Sequence, residues 1–385
     1  MDKLVLKNIP SPCYVLDEGK LQDNLSILKD VQTKAGCTII CALKGYSFYH
    51  SFPTLKKYLK GATASSLNEA KLCNEHMGVK AHTYCPAYLP SDFDELVELS
   101  SHIIFNSITE FNRYKDKVPQ NVSIGLRLNP RHSESKIPLY DPCQPGSRFG
   151  VAIEELANGL PEGVDGIHIH NLCESDSFAF ERTINAIENK FEHILTKVKW
   201  VNFGGGHHIS RKNYDVDHLV SLIQNFKASY PNVEEVILEP GEAIGLDAGY
   251  LVTTVLDVID SQGINVAIID SSFTCHMPDC LEMPYKPDIL EVDTTYPNDY
   301  PDAENYKYRI GGISCLSGDQ VGDYLFKKTL APGDKIVFGN MIIYTMVKTT
   351  SFNGVNLPSI GMLNSKGEFQ LLRSYDYISY KDRLG

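Results

Sequence analysis

The stretch Thr38-Ile-Ile-Cys-Ala-Leu-Lys-Gly-Tyr46 runs from an apolar strand pattern directly into a lysine. A run of β-branched and small apolar residues is typical of a strand that is buried on both faces, as in a parallel sheet. Lys44 would then emerge where the chain leaves the sheet for a loop. A half-desolvated amine at that point can lose its proton and attack a carbonyl. The alternative is a strand-end lysine that reaches out to solvent.

The composition describes a globular protein with no sign of disorder. The chain has 385 residues, of which 43% are hydrophobic and 22% charged, and this length favours a large α/β domain with a smaller second one. The segment Met1–Pro10 holds no apolar core of signal-peptide length, and no later run approaches the ~20 apolar residues that span a bilayer. We therefore expect a cytoplasmic protein without a membrane partner.

Cysteine spacing and charge narrow the possible partners. The ten cysteines form no CxxC pair and no zinc-finger spacing, which predicts free thiols in a reducing compartment. The net charge of -12 argues against nucleic acid, whose phosphates require a basic surface. The same charge favours a cationic substrate, although it also serves solubility alone.

Short apolar runs alternate with helical patterns from residue 20 to about residue 250. After the Thr38 strand, the predicted strands are 61–64, 81–84, 102–105, 123–128, 166–170, 200–203 and 236–238. The predicted helices include 20–34, 66–77, 178–198 and 216–229. Eight strand and helix units of this size predict a closed (β/α)8 TIM barrel over residues 20–250.

From residue 251 the pattern changes to β-branched strands without long helices. The predicted strands are 251–259, 265–269, 307–310, 334–338 and 368–372, with turns at Pro332-Gly333 and Asn353-Gly354. Residues 11–17 also form a strand pattern. We expect residues 1–19 and 251–385 to form a second, mostly β domain.

The predicted strand ends of the barrel carry reactive side chains, and active residues of this fold lie at such ends. They are Lys44, Ser65, Asn106, Arg127, His170, the triple glycine Gly204, Gly205 and Gly206, and Glu239. The triple glycine suits a phosphate, because glycine lets backbone N–H groups approach an anion closely. Glycine triplets also occur in plain turns.

His168 and His170 alternate along one predicted strand and so share a face. Two histidines at this spacing can bind a metal, but no third ligand has a fitting local spacing, and we expect no metal. Stacking of an imidazole on an aromatic cofactor is the better use, with a pair of hydrogen-bonded barrel histidines as the alternative.

Two further positions suggest acid and base chemistry. Glu239 ends an apolar strand, and a carboxylate there can hold a heteroaromatic nitrogen protonated. The loop Gly311-Gly312-Ile313-Ser314-Cys315-Leu316-Ser317-Gly318-Asp319 carries a thiol and a carboxylate. Cys315 is a candidate proton donor, although a lone cysteine is more often a buried apolar residue.

Together, and in this order, these motifs resemble the fold-type III pyridoxal-phosphate decarboxylases, the alanine-racemase-like family that includes ornithine, arginine and diaminopimelate decarboxylases. The resemblance covers nearly the whole chain and includes Tyr344 and the Ser351-Phe352-Asn353-Gly354 run. It implies pyridoxal 5'-phosphate as the cofactor. It also implies a homodimer in which Cys315 and Asp319 of one subunit reach the site of the other.

The resemblance also implies a role for each matched residue. Lys44 would form the covalent link to the cofactor, His170 would stack on its ring, and Glu239 would pair with the pyridine nitrogen. Arg127 would support that network. Gly204, Gly205, Gly206 and Tyr344 would hold the phosphate, and Cys315 would return a proton to the carbon that loses carbon dioxide.

The departures from the family pattern concern the substrate. Where most of the family ends the Glu-Pro-Gly motif with arginine, this chain has Glu242, and where diaminopimelate decarboxylases follow the loop cysteine with glutamate, it has Leu316. The first change makes an anion-binding position suitable for a cation. In these departures the chain resembles the branch of the family that acts on carboxynorspermidine and carboxyspermidine.

For such a substrate we expect Glu242 and Asp279 to bind amines, Asp319 to contribute to the substrate site, and Asp270 to compete with Asp279 for the amine role. Rival hypotheses are a decarboxylase of ornithine, lysine, arginine or diaminopimelate, a racemase on the same fold, or a non-catalytic homologue that only binds the cofactor or partners.

Overall fold

The computed structural model describes residues 5, 8–135, 137–290 and 306–385, so part of the segment Met1–Pro10 lies outside the described residues. The chain divides into two compact units. One is Gln22–Ile244, called here the barrel unit. The other combines Met1–Leu21 with Gly245–Gly385 and is called the sheet unit.

The first strand, β1 (Cys13–Asp17), belongs to the sheet unit. In the described part of the barrel unit, nine parallel strands then form one sheet. They are β2 (Thr38–Ile39), β3 (Cys41–Ala42), β4 (Ala62–Ala64), β5 (Ala81–Tyr84), β6 (Ser100–Phe105), β7 (Ser123–Arg127), β8 (Gly166–His168), β9 (Trp200–Asn202) and β10 (Glu235–Leu238).

Residues 38–42 join the two ends of this sheet. β2 pairs in parallel with β10, and β3 pairs in parallel with β4. Between them, Ile40 donates its N–H to the carbonyl of Leu238 at 3.0 Å. The predicted Thr38 strand is therefore two short strands that nearly close a parallel barrel, and the predicted fold class is confirmed.

Helices follow most barrel strands. Their bounds are Phe52–Leu55, Leu67–Met77, Phe93–Glu98, Ile108–Tyr114, Ser177–Leu195, Val216–Ser229 and Glu242–Gly245, while Glu18–Ala35 precedes β2. Between β7 and β8 the described residues form the 3₁₀ turns Pro138–Tyr140 and Ile153–Leu156 instead of an α-helix. Prolines at 130, 138, 142 and 145 explain this, because proline removes a helical N–H and clashes with the preceding turn.

Trp200 on β9 fills the barrel interior. A Cβ atom at Gly125 on β7 or at Gly166 on β8 would collide with its indole ring. The indole N–H donates to the Ser123 hydroxyl at 2.9 Å. Two glycines on neighbouring strands therefore make the space that the largest side chain of the barrel core requires.

The sheet unit is built around β1, which pairs antiparallel with β11 (Gly249–Ser261) and parallel with β16 (Ser359–Leu363). The other strands are β12 (Ile264–Ile269), β13 (Lys307–Gly311), β14 (Gln320–Leu325), β15 (Lys335–Gly339) and β17 (Phe369–Arg373). Short helices lie at Phe273–His276, Pro278–Glu282, Tyr344–Val347 and Tyr377–Lys381. The predictions missed β14 and β16, where Gly322 and Gly361 interrupt the apolar pattern.

The strand order is β14-β13-β12-β11-β1-β16-β17, and β15 also pairs with β11. Apolar residues of four strands, Val15, Val252, Val337 and Leu363, pack together in the core of the unit. Across the described residues of the chain, we find no helix with the length and apolar character needed to cross a bilayer.

Candidate active site

Lys44 follows β3 in a tight turn. The N–H groups of Gly45 and Tyr46 both donate to the carbonyl of Ala42, at 3.0 and 3.1 Å. The Lys44 Nζ atom lies 3.1 Å from Nε2 of His170. Part of the Lys44 residue is exposed, but the surrounding protein desolvates the amine, and this desolvation together with the charge of Arg127 lowers its pKa.

The contacts of His170 define its protonation. Gly205 donates its backbone N–H to Nδ1 of His170 at 2.8 Å, so the proton of the neutral ring lies on Nε2. Burial, followed by the charge of Lys44, lowers the pKa of His170 well below its usual range. The Nε2–H group therefore donates to the lone pair of Lys44, and the pair favours a neutral, nucleophilic amine.

Glu239 directly follows β10 and is buried. Its Oε1 atom accepts a hydrogen bond from Asn202 Nδ2 at 2.6 Å, and its Oε2 atom lies 3.5 Å from Nε2 of His168. Burial opposes ionisation of this carboxyl group, but the contacts with His168 and Asn202 lower its pKa to about 2. Burial also lowers the pKa of His168. The imidazole of His168 thus faces an ionised Glu239.

The rings of His168 and His170 are nearly parallel, with centroids 6.2 Å apart and an interplanar angle of 19°. The two imidazole rings therefore lie side by side, although β8 ends at His168 and His170 lies beyond it. Among the described residues, no three or more His, Cys, Asp or Glu side chains form a group that could hold a metal.

Arg127 ends β7 and is held between two aromatic rings. Its Cζ atom lies 4.8 Å from the ring centroid of Tyr84 and 4.3 Å from that of Phe149. Nη1 donates to the Tyr84 hydroxyl at 2.8 Å and Nη2 to the carbonyl of His170 at 2.9 Å. The Tyr84 hydroxyl donates to Asn106 Oδ1 at 2.8 Å. Arg127 therefore fixes the backbone of His170, and Tyr84 fixes Arg127.

The triple glycine follows β9 and packs without room for side chains. A Cβ atom at Gly204 would collide with His170, one at Gly205 with the carbonyl of Glu239, and one at Gly206 with the carbonyl of Leu172. The φ angles of Gly204 and Gly206 are 68° and 81°, which L side chains rarely adopt. Asn202 and His170 already accept the N–H groups of Gly204 and Gly205. An anion at this loop would therefore contact amides beyond Gly205.

Glu242 begins the helix that follows β10. Its Oε2 atom lies 2.9 Å from Nε2 of His208, whose side chain is buried. The backbone N–H of His208 donates to the carbonyl of Ser175 at 3.2 Å. The acidic residue that replaces the family's arginine thus has a fixed imidazole partner.

In the sheet unit, Asp319 shapes the loop that carries Cys315. Its buried carboxylate accepts the backbone N–H of Thr274 at 3.1 Å and that of Ser314 at 3.0 Å. The N–H of Cys315 donates to Asn353 Oδ1 at 2.8 Å, and the Cys315 residue is exposed. The loop that carries Cys315 and the loop that carries Asn353 therefore hold the thiol at the surface of this unit.

Asp279 is paired with a lysine of its own unit. Lys348 Nζ lies 2.6 Å from Asp279 Oδ1 and 2.6 Å from Glu282 Oε2. Lys348 follows the helix that Tyr344 begins, and its N–H donates to the carbonyl of Tyr344 at 2.9 Å. Asp270 accepts hydrogen bonds from the Ser11 hydroxyl at 2.6 Å and from the Thr254 N–H at 2.9 Å. Both acids thus have internal partners.

Sequence reasoning missed the residues that position the others: Tyr84, Asn202, His208 and Lys348. Two of them stood beside recognised features. Asn202 lies within a predicted strand, two residues before the triple glycine, and Tyr84 is the last residue of another predicted strand. Nothing in the sequence signals the His208–Glu242 and Lys348–Asp279 pairs.

The barrel cluster fits pyridoxal phosphate. It offers an amine with a lowered pKa for an aldehyde, an ionised buried carboxylate for a protonated ring nitrogen, and a side-chain-free backbone turn for a phosphate. A barrel with these groups at the carboxyl ends of its strands belongs to the class of pyridoxal-phosphate enzymes.

Comparison with known proteins also indicates a pyridoxal-phosphate enzyme. The family described as "Pyridoxal-dependent decarboxylase, C-terminal sheet domain" matches residues 13–342. A carboxyaminopropylagmatine decarboxylase of Synechocystis is 44% identical over 99% of this chain and 97% of its own length. A carboxynorspermidine/carboxyspermidine decarboxylase of Campylobacter jejuni is 40% identical over 98% of this chain and 99% of its own.

A crystal structure of the Campylobacter jejuni carboxynorspermidine decarboxylase complexed with norspermidine superposes with a TM-score of 0.89. It is 39% identical and covers 97% of this chain and 100% of its own. This chain belongs to the pyridoxal-dependent decarboxylase family. It is a decarboxylase, and its cofactor is pyridoxal 5'-phosphate.

Proposed function

We propose that the protein decarboxylates carboxynorspermidine or carboxyspermidine, which gives norspermidine or spermidine. The observation that carries this proposal is the 40% identity over 98% of the chain to a relative with that named activity. The Lys44 amine beside His170, whose pKa is lowered, and the ionised Glu239 support it, because both suit a pyridoxal-phosphate decarboxylase.

We assign the cofactor contacts within the barrel unit as follows. Lys44 holds the aldehyde carbon covalently, His170 packs on the ring, and Glu239 keeps a proton on the pyridine nitrogen. Arg127 holds the backbone of His170. Pyridoxal phosphate supplies an electron sink for the electron pair that is released with carbon dioxide.

Further residues are assigned to phosphate binding and to the return of the proton. The Gly204–Gly206 loop and Tyr344 bind the phosphate, and the loop amides beyond Gly205 are the suitable donors. The carbon that loses carbon dioxide must gain one proton, and the Cys315 thiol supplies it. Asp319 keeps the Cys315 loop in shape through its bonds to Thr274 and Ser314 and contributes to the substrate site in that way.

Acidic residues bind the distal amines of the substrate. Glu242 carries a carboxylate where most of the family has arginine, and Asp279 adds a second one. Lys348 competes with a substrate amine for Asp279, since it already lies 2.6 Å from the carboxylate.

We propose a cytoplasmic homodimer with two shared sites. None of the ten cysteines, each within the described residues, forms a disulfide bond, as expected in a reducing compartment. Ile313, Leu316 and Phe352 near the thiol are 43%, 46% and 47% exposed, which suits burial against a second subunit. Cell fractionation and light scattering test these two points.

Mixing two inactive variants, Lys44→Ala and Cys315→Ala, tests the sharing of sites. A symmetric dimer with shared sites regains activity in hybrids, up to about a quarter of the wild-type value. Mixtures that stay inactive although hybrids form would contradict shared sites.

A second candidate substrate is carboxyaminopropylagmatine, because a relative with that named activity is 44% identical over 99% of the chain. Its agmatine part ends in a guanidinium group instead of an amine. A planar guanidinium prefers a two-pronged contact with a carboxylate, whereas an ammonium acts as a point charge.

Carbon dioxide release across a substrate panel decides between these proposals. The panel contains carboxynorspermidine, carboxyspermidine, carboxyaminopropylagmatine, ornithine, lysine, arginine and diaminopimelate. We expect the highest kcat/KM with the first two. Preference for carboxyaminopropylagmatine would select the second candidate, and turnover of only a plain amino acid would overturn both.

A further inference from the structure

We propose that Asn202 is a positioning residue that couples the two ends of the bound cofactor. Its one amide group bonds both Glu239, which we assign to the ring nitrogen, and Gly204, the first residue of the loop that we assign to the phosphate. This inference rests on the proposed roles of Glu239 and of the triple glycine.

The geometry fixes the orientation of the amide. Nδ2 donates to Glu239 Oε1 at 2.6 Å, and Oδ1 accepts the N–H of Gly204 at 2.8 Å. A carboxylate only accepts and a backbone N–H only donates, so a flipped amide would lose both bonds. The side chain of Asn202 is fully buried, so its polar atoms depend on these two protein partners.

A third hydrogen bond makes the arrangement cyclic. The backbone N–H of Glu239 donates to the carbonyl of Gly204 at 2.7 Å. Glu239, Gly204 and Asn202 therefore form a ring of three hydrogen bonds that joins the end of β10 to the loop after β9. Movement of the carboxylate and movement of the glycine loop are linked through this ring.

The backbone of Asn202 is fixed as well. It pairs with His168 on β8 and with Ile237 on β10, and its carbonyl accepts the N–H of Ile169 at 2.7 Å. His168 in turn contacts the other oxygen of Glu239. The amide thus sits on a rigid part of the barrel, which is the condition for holding two distant groups in register.

Loss of the amide has two predicted consequences. One oxygen of Glu239 loses a hydrogen bond, so the carboxyl group binds its proton more tightly and holds a proton on the ring nitrogen less well. The buried N–H of Gly204 loses its acceptor, so the glycine loop relaxes and the phosphate is bound less tightly.

Two variants separate these consequences. Asn202→Leu has a similar volume and removes both bonds. Asn202→Asp keeps the acceptor for Gly204 but places a carboxylate against Glu239. Asn171→Leu is the matched control, because Asn171 is equally buried and bonds instead to the His132 carbonyl at 2.8 Å and to the Thr183 hydroxyl at 3.1 Å.

The experiment measures binding of pyridoxal phosphate and of pyridoxal, which lacks the phosphate, to each protein after removal of the cofactor. It also follows the pH titration of the absorption band of the bound cofactor. For Asn202→Leu we expect about tenfold or greater loss of pyridoxal-phosphate affinity, a smaller advantage of pyridoxal phosphate over pyridoxal, and a shifted titration. For Asn202→Asp we expect only the shifted titration.

Asn171→Leu should change neither readout, even if its melting temperature falls. Wild-type affinities and titrations in both Asn202 variants would overturn the proposal, as would a loss of phosphate preference in Asn202→Asp equal to that in Asn202→Leu. If Asn202→Leu does not fold, the titration of Asn202→Asp decides. A Glu239→Gln protein with the wild-type titration would instead contradict the proposed role of Glu239.

Discussion

The barrel unit and the sheet unit hold their carboxylates in different ways. In the barrel unit, contacts with His168 and Asn202 keep the buried carboxylate of Glu239 ionised, and among the described residues no lysine or arginine forms a salt bridge with it. In the sheet unit, the charge of the Asp279 carboxylate is balanced by Lys348. The Asp319 carboxylate accepts hydrogen bonds from two backbone N–H groups. The first carboxylate can attract a cation, whereas the other two are already satisfied.

This difference distinguishes carboxylates that can bind a ligand from carboxylates that stabilise the fold. A buried carboxylate whose pKa is strongly shifted by specific neighbours is expected at a functional site, where a cationic ligand can pair with it. An acid that holds a loop or pairs with a lysine contributes to the fold without any ligand. Glu242 lies between these cases, because it has an imidazole partner in His208 while its own side chain stays partly exposed.

The largest expected effect is that of Lys44→Ala. If the barrel cluster carries the chemistry, kcat falls more than about 10³-fold, the scale seen when a chemically participating residue is lost. Borohydride treatment should then leave no covalent cofactor label on the protein. Lys34→Ala on the exposed face of a helix is the control. A label retained in Lys44→Ala would remove the barrel lysine from its central role.

Cys315→Ala tests whether the sheet unit takes part in the chemistry at all. Loss of a proton donor should lower kcat by about 10²- to 10⁴-fold, while the cofactor affinity stays at the wild-type value. Steady-state kinetics and cofactor titration measure the two quantities, and Cys37→Ala serves as the control. Unchanged kcat would confine the chemistry to the barrel unit.

Glu239→Gln replaces the buried carboxylate of the barrel unit with a neutral amide. We expect kcat to fall about 10²-fold, as for the loss of one electrostatic contact to the reacting system. The pKa of Glu239 is about 2 instead of the usual 4.5. Its ionised form therefore stabilises the fold fully above about pH 4.5, and this contribution is lost as the pH falls towards 2. Melting temperatures should show a steeper acid decline in the wild type than in the variant.

Glu242→Gln tests whether the carboxylate that pairs with His208 binds the substrate. If its carboxylate binds a substrate amine, KM for carboxyspermidine should rise about tenfold while kcat changes little, because a charge-assisted contact is lost in both ground and transition state. His208→Asn keeps the carboxylate and removes only its partner, so its KM should change less. Equal KM values for wild type and Glu242→Gln would show that the Glu242–His208 pair stabilises the fold and does not bind the substrate.

The smallest effect is expected at the lysine pair of the sheet unit. Lys348→Met frees Asp279 from a partly exposed ion pair worth ~1 kcal/mol or less, so KM should fall by at most about fivefold if Asp279 binds the substrate. Asp279→Asn should raise it, and Glu282→Gln is the control on the same lysine. Changes in melting temperature alone would make the pair purely structural.

The fold could be predicted because its signals are local. Short apolar runs separated by helical spacing are enough to indicate a barrel, and the Val216–Ser229 helix has the predicted bounds. The predictions failed where a global constraint dominates. The split of residues 38–42 into β2 and β3 depends on strands at opposite ends of the sheet, and the missing helix after β7 depends on prolines within a long connection.

The site could be predicted in part for the same reason. Residues at strand ends, such as Lys44 and Glu239, have a definite place once the strands are known. Partners between distant loops have none, since nothing near Glu242 in the sequence points to His208 and nothing near Asp279 points to Lys348. An acidic residue in a loop therefore says little about ligands until its internal partners are known.

Trp200, packed against Gly125 and Gly166, is the single tryptophan of the chain. Its fluorescence therefore reports on the interior of the barrel unit alone, whereas circular dichroism reports on both units. Denaturation followed by the two signals together reveals whether the units unfold as one cooperative system or in sequence. The largest side chain of the barrel core is thus a built-in optical probe of folding for one half of the molecule.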